Sequence, residues 1–189
     1  MNDDEFLRGR RVPMTKEPVR LLALERLALR GARHLIDVGA GTGSVALEAA
    51  LRFPHLRVTA IERNPAALTL IEENRRRLGC DNVAIIAGAA PLPLEPMADA
   101  VFIGGSGGQL TALIDWSLAQ LQPGGRLVLT FILLDNLNTA LTHLQSLNVA
   151  SLACTQLQAS SLTPLGSGHY FKPNNPTYLI SCCKEGTDV

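Results

Sequence analysis

One stretch constrains the fold more than any other: residues 34–44 read His-Leu-Ile-Asp-Val-Gly-Ala-Gly-Thr-Gly-Ser. A short apolar run leads into Asp37, glycines stand at alternate positions, and an Ala-rich apolar run follows. This order predicts a buried strand, a tight turn and the start of a helix, the arrangement that brings a nucleotide-like ligand against bare backbone. Glycine turns bind many ligands, so the surrounding residues must decide which one binds here.

Strand and helix patterns alternate from this stretch through residue 147, which predicts a parallel, doubly wound α/β sheet. Besides the strand that opens the stretch, the predicted strands are 57–62, 83–87, 99–104 and 126–134. The predicted helices are one capped by Thr15 and ended by Gly31, then 45–51, 65–78 between Asn64 and Gly79, 110–121 and 138–147. Residues 149–157 and 177–182 are two further strands with no helix between them. They should form a C-terminal antiparallel pair at the sheet edge, joined by a Gly/Pro/Asn-rich loop, which makes seven strands in all.

The 189 residues suit a single domain over 1–189, with residues 1–12 predicted as an arm lying over the domain outside its core. Net charge is zero, which argues against a general nucleic-acid-binding protein. Fourteen of the 17 Lys and Arg precede Leu78, against ten of the 17 acids, so that part carries about +4 and the remainder about −4. Arginine favours carboxylates and phosphates. The excess of positive charge before Leu78 fits either an anionic ligand or a solvated basic face.

Cysteine and hydropathy patterns bear on location. The four cysteines form no C-x-x-C pair and have no histidine at metal-ligand spacing, so reduced thiols in a cytoplasmic protein without a metal site are expected. The acidic start does not resemble a secretory signal, and no apolar run approaches the roughly 18 residues that span a membrane.

Two acids and one serine narrow the choice of ligand for the glycine turn. A dinucleotide-binding fingerprint requires a third glycine where Ser44 stands, which disfavours a nicotinamide oxidoreductase. Asp37 ends the first strand, where a carboxylate can meet a cationic amino group, although capping of the next helix is the alternative role. Glu62 ends the second strand and can accept both hydroxyls of a ribose. S-adenosylmethionine has an ammonium group, a ribose diol and no phosphate, so it is the predicted cofactor.

Four segments together resemble the decarboxylating C15-methyltransferases of corrin (vitamin B12) biosynthesis, within the class I S-adenosylmethionine-dependent methyltransferases. They are Val-Pro-Met-Thr-Lys at 12–16, Asp-Val-Gly-Ala-Gly-Thr-Gly-Ser-Val at 37–45, Ile-Glu-Arg-Asn-Pro at 61–65 and Phe-Ile-Gly-Gly-Ser-Gly-Gly at 102–108. The resemblance covers nearly the whole chain. It implies a Rossmann-like fold, methylation of C15 of a tetrapyrrole and loss of carbon dioxide from the acetate at C12.

The resemblance also implies cofactor contacts. Besides Asp37, the positions that match the family's cofactor-binding residues are Thr15, Gly39, Ala40, Gly41, Thr42, Gly43, Glu62 and Ala90. Many relatives have an acid where this chain has Ala89. A side-chain contact to the adenine amino group is therefore not expected here, whereas the backbone N–H of Ala90 remains a candidate for a ring nitrogen.

Some relatives are the C-terminal half of a longer chain whose other half methylates C5. This chain resembles the stand-alone form of the anaerobic, cobalt-early route. That form implies a cobalt-precorrin substrate, a separate C5-methyltransferase as a pathway partner and a homo-oligomer, a tetramer in relatives.

The substrate carries many carboxylates, which suits cations in the N-terminal segment. Arg8, Arg11 and Lys16 are the candidates for carboxylate pairing. The loop over 104–108 offers backbone donors and close approach to a flat ring through Gly105, Ser106 and Gly107, although Ser106 fits an ordinary turn residue equally well. His169 and Lys172 are placed so that they could reach the same strand ends, but a surface position without a role suits them better. No residue is assigned as a general base.

Two other functions stay open at this point. One is a class I methyltransferase with another acceptor, although the Asn/Asp-Pro-Pro-Tyr motif of protein-amide and base-amino enzymes is replaced by Ile103-Gly-Gly-Ser. The other is a tetrapyrrole-binding protein without catalytic activity.

Overall fold

The computed structural model describes residues 1–10, 12–95, 97–105 and 107–186. The helices are a 3-10 turn at Asp3–Glu5, then α1 (Glu17–Leu27), α2 (Ser44–Arg52), α3 (Pro65–Leu78), α4 (Leu110–Gln120) and α5 (Leu134–Ser146). The strands are β1 (His34–Val38), β2 (Arg57–Glu62), β3 (Val83–Ala87), β4 (Ala98–Ile103), β5 (Leu121–Phe131), β6 (Val149–Leu157), β7 (Ser160–Leu165), β8 (Gly168–Pro173) and β9 (Thr177–Lys184).

Seven strands form one sheet in the order β3-β2-β1-β4-β5-β9-β6. The first five are parallel, and β9 runs antiparallel to both β5 and β6. The predicted doubly wound sheet with an antiparallel C-terminal pair is therefore confirmed. Because the chain leaves β1 toward β2 on one side and later returns to β4 on the other, the carboxyl end of β1 is the point where ligands bind in such sheets.

Alternating side chains of the central strand β1 divide the core into two layers. Leu35 packs on one face with α1 and α2, whereas Ile36 and Val38 pack on the other face with α4 and α5. All five residues of β1 are buried. Burial on both faces explains why this strand is a nearly continuous apolar run, and it makes the acid at its end the exception that needs a role.

The residues that cap and end helices in the sequence predict the bounds of α3 correctly and those of α1 only in part. The Asn64 side chain accepts a hydrogen bond from the Ala66 amide at 2.9 Å, Pro65 opens the helix, and Gly79 ends it at φ +68°. The prediction that Thr15 caps α1 is wrong, because Lys16 is the N-cap residue and makes no side-chain capping bond. This helix also ends earlier than Gly31, at Ala28, which adopts the left-handed conformation itself.

The boundary between β5 and α5 differs from the prediction. The strand ends at Phe131 and α5 already begins at Leu134, so the apolar run predicted as one strand includes an exposed turn at residues 132–133. Apolar periodicity alone does not separate a buried strand from such a turn. At its start, β5 includes the Pro-Gly-Gly segment, where the pairing with β4 shifts register between Ala98 and Ala100.

The segment between β6 and β9 is not the irregular loop that was predicted. It contains a separate two-stranded hairpin, β7–β8, which turns through Gly166 and Ser167. Most of the hairpin is exposed, so its strands lack the apolar alternation that predicts a half-buried strand. The Gly-Ser pair was the one available signal, since two-residue turns with a leading glycine favour hairpins.

The N-terminal segment takes part in the core, contrary to its prediction as an arm outside it. Phe6 is only 3% exposed and belongs to the core layer of α1 and α2, with Met1 packed against the same layer. The Leu7 amide donates to the buried Asn74 side chain on α3 at 2.8 Å. Within the described ranges, no helix is long and apolar enough to cross a membrane.

A buried histidine lies at the amino end of β1, on the sheet edge opposite the glycine turn. The His34 ring is within hydrogen-bond distance of Thr59 Oγ1 at 2.9 Å and of an Arg57 guanidinium nitrogen at 3.1 Å. Burial and the positive charge of Arg57 lower the pKa of His34, Asp99 opposes both, and the net pKa is about 4. The folded protein therefore holds this ring neutral.

We expect His34 to destabilise the protein in mild acid. Above pH 6.5, the pKa of His34 in the unfolded chain, the neutral ring contributes fully to the free energy of unfolding. This contribution is lost as pH falls toward 4, because in that range only the unfolded chain takes up the proton. The loss should approach about 3 kcal/mol, as judged by urea unfolding at pH 7 and pH 4. His34→Gln should remove this part of the pH dependence and the exposed control His55→Gln should keep it. Equal slopes in wild type and His34→Gln would contradict the assignment.

Candidate functional site

The carboxyl ends of β1, β2 and β4 meet at the glycine turn. Gly39, Gly41 and Gly43 all adopt positive φ, at +71°, +57° and +81°. The amides of Gly39 and Ala40 donate to the Ile61 carbonyl at 2.9 and 3.1 Å, which ties the turn to the end of β2. The local sequence thus folds as predicted, with the turn residues lying across the switch point of the sheet.

Two of these glycines let other backbone segments approach the turn. A Cβ atom on Gly39 would lie 3.0 Å from the amide and carbonyl of Gly105, in the loop after β4. A Cβ atom on Gly41 would lie 2.6 Å from the Pro13 carbonyl, in the segment that precedes α1. Two of the four segments that carried the sequence resemblance therefore approach the turn, through Pro13 and Gly105.

Asp37 is fully buried at the end of β1. Its Oδ2 accepts a hydrogen bond from the Ala46 amide in the first turn of α2 at 3.1 Å, as the capping alternative required. Its Oδ1 has no hydrogen-bond partner among the described residues. Burial raises the pKa of Asp37, the Ala46 hydrogen bond lowers it, and the nearby Glu62 carboxylate raises it, so that the net pKa is about 7. One oxygen therefore remains ready for a cationic partner.

Glu62 is held by three backbone amides at the end of β2. Its Oε2 accepts from the Gly41 amide at 2.8 Å, and its Oε1 accepts from the amides of Arg63 and Asn64 at 2.8 Å each. The side chain is buried, and these three hydrogen bonds fix the position of its carboxylate. Oε1 already accepts two hydrogen bonds, whereas Oε2 keeps a free lone-pair site, so this carboxylate is a fixed acceptor for neighbouring hydroxyl groups at Oε2.

The other predicted cofactor residues border the same edge. Thr42 is buried, and its hydroxyl has no partner among the described residues. Ala90 lies beyond β3, half-buried against the second core layer, and the Gly88 amide before it donates to the Glu62 carbonyl at 2.9 Å. Thr15 reaches the turn through its backbone, since its carbonyl accepts from the Ser44 hydroxyl at 3.3 Å.

A cavity of about 580 Å³ adjoins this edge. Its walls are residues 13–16, Pro18 and Val19, the ends of β4 and β5, the start of α5 and the base of the β7–β8 hairpin. The polar side chains that line it belong to Thr15, Lys16, Thr130, Asn136, Asn174, Asn175 and Thr177. Its volume suits a sizeable organic ligand, and apolar wall residues such as Phe131 and Leu133 suit a flat ring.

The structure brings some of the predicted substrate residues to this cavity. Lys16 and Gly105 line it, and Lys16 is the one cation among its described lining residues. Arg8 is directed elsewhere, with its Nε donating to the Asp3 carbonyl at 3.3 Å. Gly107 lies beside the Arg63 guanidinium, about 3.2 Å from where a Cβ would stand. Arg11 and Ser106 fall outside the described residues.

Sequence reasoning missed several residues of this region. The asparagines of the cavity wall lie in a segment read as a loop and on a helix that begins earlier than predicted, so only their polarity was available as a signal. His169 and Lys172 lie on the exposed strand β8 and are not among the cavity's lining residues. Nowhere in the described part of the chain do three or more His, Cys, Asp or Glu residues cluster as metal ligands would.

Comparisons with known proteins identify the family. The family model for the precorrin methyltransferase domain matches residues 9–184. A protein of Salmonella typhimurium named cobalt-precorrin-6B C(15)-methyltransferase (decarboxylating) is 64% identical over 189 residues, which is 100% of this chain and 98% of that protein.

Two solved structures share the fold over nearly their whole length. The precorrin-6y C5,15-methyltransferase of Geobacter metallireducens has a TM-score of 0.86 at 34% identity, covering 97% of this chain and 96% of that one. The precorrin 8w decarboxylase of Methanobacterium thermoautotrophicum has a TM-score of 0.83 at 34% identity, covering 99% and 100%. The chain therefore belongs to the precorrin methyltransferase domain family.

Proposed function

We propose that this protein transfers the methyl group of S-adenosylmethionine to C15 of a cobalt-precorrin and releases carbon dioxide from the acetate side chain at C12, in anaerobic cobalamin biosynthesis. The observation that carries the proposal is the shared wall between the glycine turn and the cavity. Pro13 lies against Gly41, and residues 13–16 line the 580 Å³ cavity. The 64% identical relative, named for this reaction, supports the choice of acceptor.

The turn fits S-adenosylmethionine group by group. The unpartnered Oδ1 of Asp37 suits the ammonium group, directly or through a water molecule. The fixed carboxylate of Glu62 suits the two ribose hydroxyls. The backbone of residues 39–43 allows the ligand to approach closely, and the Ala90 amide suits an adenine ring nitrogen. Thr15 and Thr42 complete the proposed cofactor set.

The cavity fits the acceptor through one cation, several neutral polar groups and an apolar wall. Lys16 is proposed to pair with a substrate carboxylate, and Gly105 to allow the ring to approach the donor closely. A role for Arg11, Ser106 or Gly107 stays a prediction. Arg8 does not line the cavity and is not proposed as a contact in this conformation.

The reaction requires the protein mainly to align the methyl donor with the ring carbon and to exclude water. When bound, S-adenosylmethionine would supply an electrophilic methyl group for attack by a ring carbon and would leave as S-adenosylhomocysteine with the electron pair of the broken carbon–sulfur bond. In decarboxylation the carbon–carbon bond to the carboxylate breaks, and its electron pair enters the conjugated macrocycle. Cobalt belongs to the substrate, so no resident metal is required. We assign neither a covalent nucleophile nor a general base.

We also propose a homotetramer that buries the hairpin. Leu162 and Phe171, which pair across the hairpin, and Leu165 at its tip are 61%, 69% and 66% exposed, which is unusual for large apolar side chains. A second copy of the chain is the proposed cover. A C5-methyltransferase of the same pathway remains a predicted partner, and the cytoplasmic location remains a prediction.

Sedimentation tests the assembly. Wild type should sediment at four times the 20.2 kDa chain mass, and the double variant Leu165→Ser/Phe171→Ser should dissociate because the buried apolar area is lost. Leu51→Ser removes a 40% exposed leucine from α2 and should leave the assembly unchanged. A monomeric wild type would contradict the tetramer.

Acceptor choice tests the function. Labelled methyl groups should pass from S-adenosylmethionine to a cobalt-precorrin but not to RNA, protein or small metabolites incubated in parallel. Transfer to one of those instead would favour a class I methyltransferase with another acceptor. Tight donor and tetrapyrrole binding without transfer would favour a non-catalytic binding protein.

A further inference from the structure

A completely buried arginine connects the elements around the site. Arg20 on α1 is 0% exposed, and its Nε donates to the buried carboxylate of Glu48 on α2. Its Nη1 donates to Asp3 Oδ1 at 3.1 Å and to the Thr15 carbonyl at 2.7 Å, and its Nη2 donates to the Met1 carbonyl at 2.7 Å. One planar group therefore holds three separate parts of the chain.

Glu48 completes this network as its anion. Burial alone would raise the pKa of Glu48, but hydrogen bonds from Arg20, the Met1 ammonium group and Arg52 outweigh burial and lower it. Because desolvation of a buried ion pair offsets much of its attraction, well-packed apolar side chains in place of both partners would stabilise this part of the core about as well. An apolar side chain could not, however, hold the carbonyl of Thr15.

That carbonyl belongs to the segment between the two halves of the site. On one side of this segment, the Pro13 carbonyl contacts Gly41 and the Thr15 carbonyl accepts from Ser44. On the other side, Met14 and Lys16 line the cavity. Lys16 is further tied to the network through Asp3, 3.6 Å away. The place of residues 13–16 therefore sets the distance between the turn and the cavity.

We propose that Arg20 is a positioning residue for methyl transfer: by holding the Thr15 carbonyl it fixes residues 13–16 between the cofactor turn and the cavity. Arg20 itself touches neither ligand, and it acts through the backbone it holds. The acceptor side of this inference rests on the proposed function, whereas its cofactor side requires only that the turn binds the methyl donor.

The test is Arg20→Lys, which keeps a positive charge near Glu48 but loses the fork that reaches two carbonyl groups. We expect the Kd for S-adenosylhomocysteine, measured by calorimetry, to rise about tenfold, and kcat with a cobalt-precorrin to fall by up to about 100-fold through misalignment. The matched control is Leu24→Ala, one turn later on α1, which removes buried apolar packing from the same helix. It should lose thermal stability but keep Kd and kcat per folded molecule within about twofold.

Asp3→Asn serves as a second, milder variant in case Arg20→Lys does not fold. It weakens the hold on Arg20 and Lys16 at a partly exposed position, so the protein should fold and show a smaller rise in Kd in the same direction. The proposal is overturned if Asp3→Asn, or folded Arg20→Lys, keeps wild-type Kd and kcat, or if Leu24→Ala shows equal losses. If wild type binds the donor but does not methylate the precorrin, the proposed function fails, while a raised Kd in Arg20→Lys still supports the positioning role.

Discussion

Replacing Gly41 with alanine is expected to weaken binding of S-adenosylhomocysteine by about 100-fold in calorimetry. The new Cβ would lie 2.6 Å from the Pro13 carbonyl oxygen, a distance that neither backbone can accommodate without moving. The displacement would push residues 13–16 away from the turn. It would also shift the Gly41 amide, which donates a hydrogen bond to Glu62. Both the cofactor turn and the cavity wall would change shape together.

Gly79→Ala provides the matched control. Gly79 has a similar φ of +68°, but no heavy atom lies within 4 Å of its would-be Cβ in the described structure. Both alanine variants should lose about 1 kcal/mol of stability from the left-handed backbone alone. Only Gly41→Ala should lose affinity. An equal loss of affinity in Gly79→Ala would show that general destabilisation, not contact with residues 13–16, causes the effect.

Donor binding is expected to depend on pH through Asp37. With a pKa of about 7 in the unliganded protein, this carboxyl is protonated below neutrality and must lose its proton to meet an ammonium group. The Kd for the donor should therefore rise about tenfold per pH unit below 7 and level off above it. Calorimetry between pH 5.5 and 8.5 measures this, with proton release detected in buffers of different ionisation enthalpy.

Asp37→Asn should bind the donor about 10- to 100-fold more weakly at pH 8 and with little pH dependence, since the charge-assisted contact is lost. The exposed Asp115→Asn should behave as wild type. An unchanged pH profile of Kd in Asp37→Asn would exclude Asp37 as the titrating group.

The raised pKa of Asp37 affects the stability of the unliganded protein in the opposite direction. Protonated Asp37 contributes fully to the free energy of unfolding below pH 3.8, and this contribution is lost as pH rises through about 7.

Features with local causes were predictable from the sequence. The helix α3 has its cap at Asn64, its first-turn proline and its final Gly79 within one continuous segment, and its predicted bounds are those of the structure. The placement of Asp37 and Glu62 at neighbouring strand ends follows from parallel pairing of β1 and β2. Each of these inferences needed only a short stretch and the direction of a strand.

Features with distant partners were not predictable. Arg20 looks like any charged residue on a helix, and nothing near it shows that its partner Glu48 lies 28 positions away in the core. The cavity likewise combines residues 13–16 with Asn136 and residues 173–175, which only the finished sheet brings together. The β7–β8 hairpin escaped prediction because its exposed strands carry no buried face.

The stoichiometry of the reaction tests the central claim most directly. Purified protein is incubated with methyl-labelled S-adenosylmethionine and a cobalt-precorrin whose C12 acetate carboxyl is isotopically labelled. Methyl incorporation and released carbon dioxide are counted from the same sample. The account predicts one methyl group gained at C15 and one labelled carbon dioxide lost per acceptor molecule, with both reduced in Asp37→Asn. Methyl transfer without loss of labelled carbon dioxide, or transfer to another ring position, would contradict it.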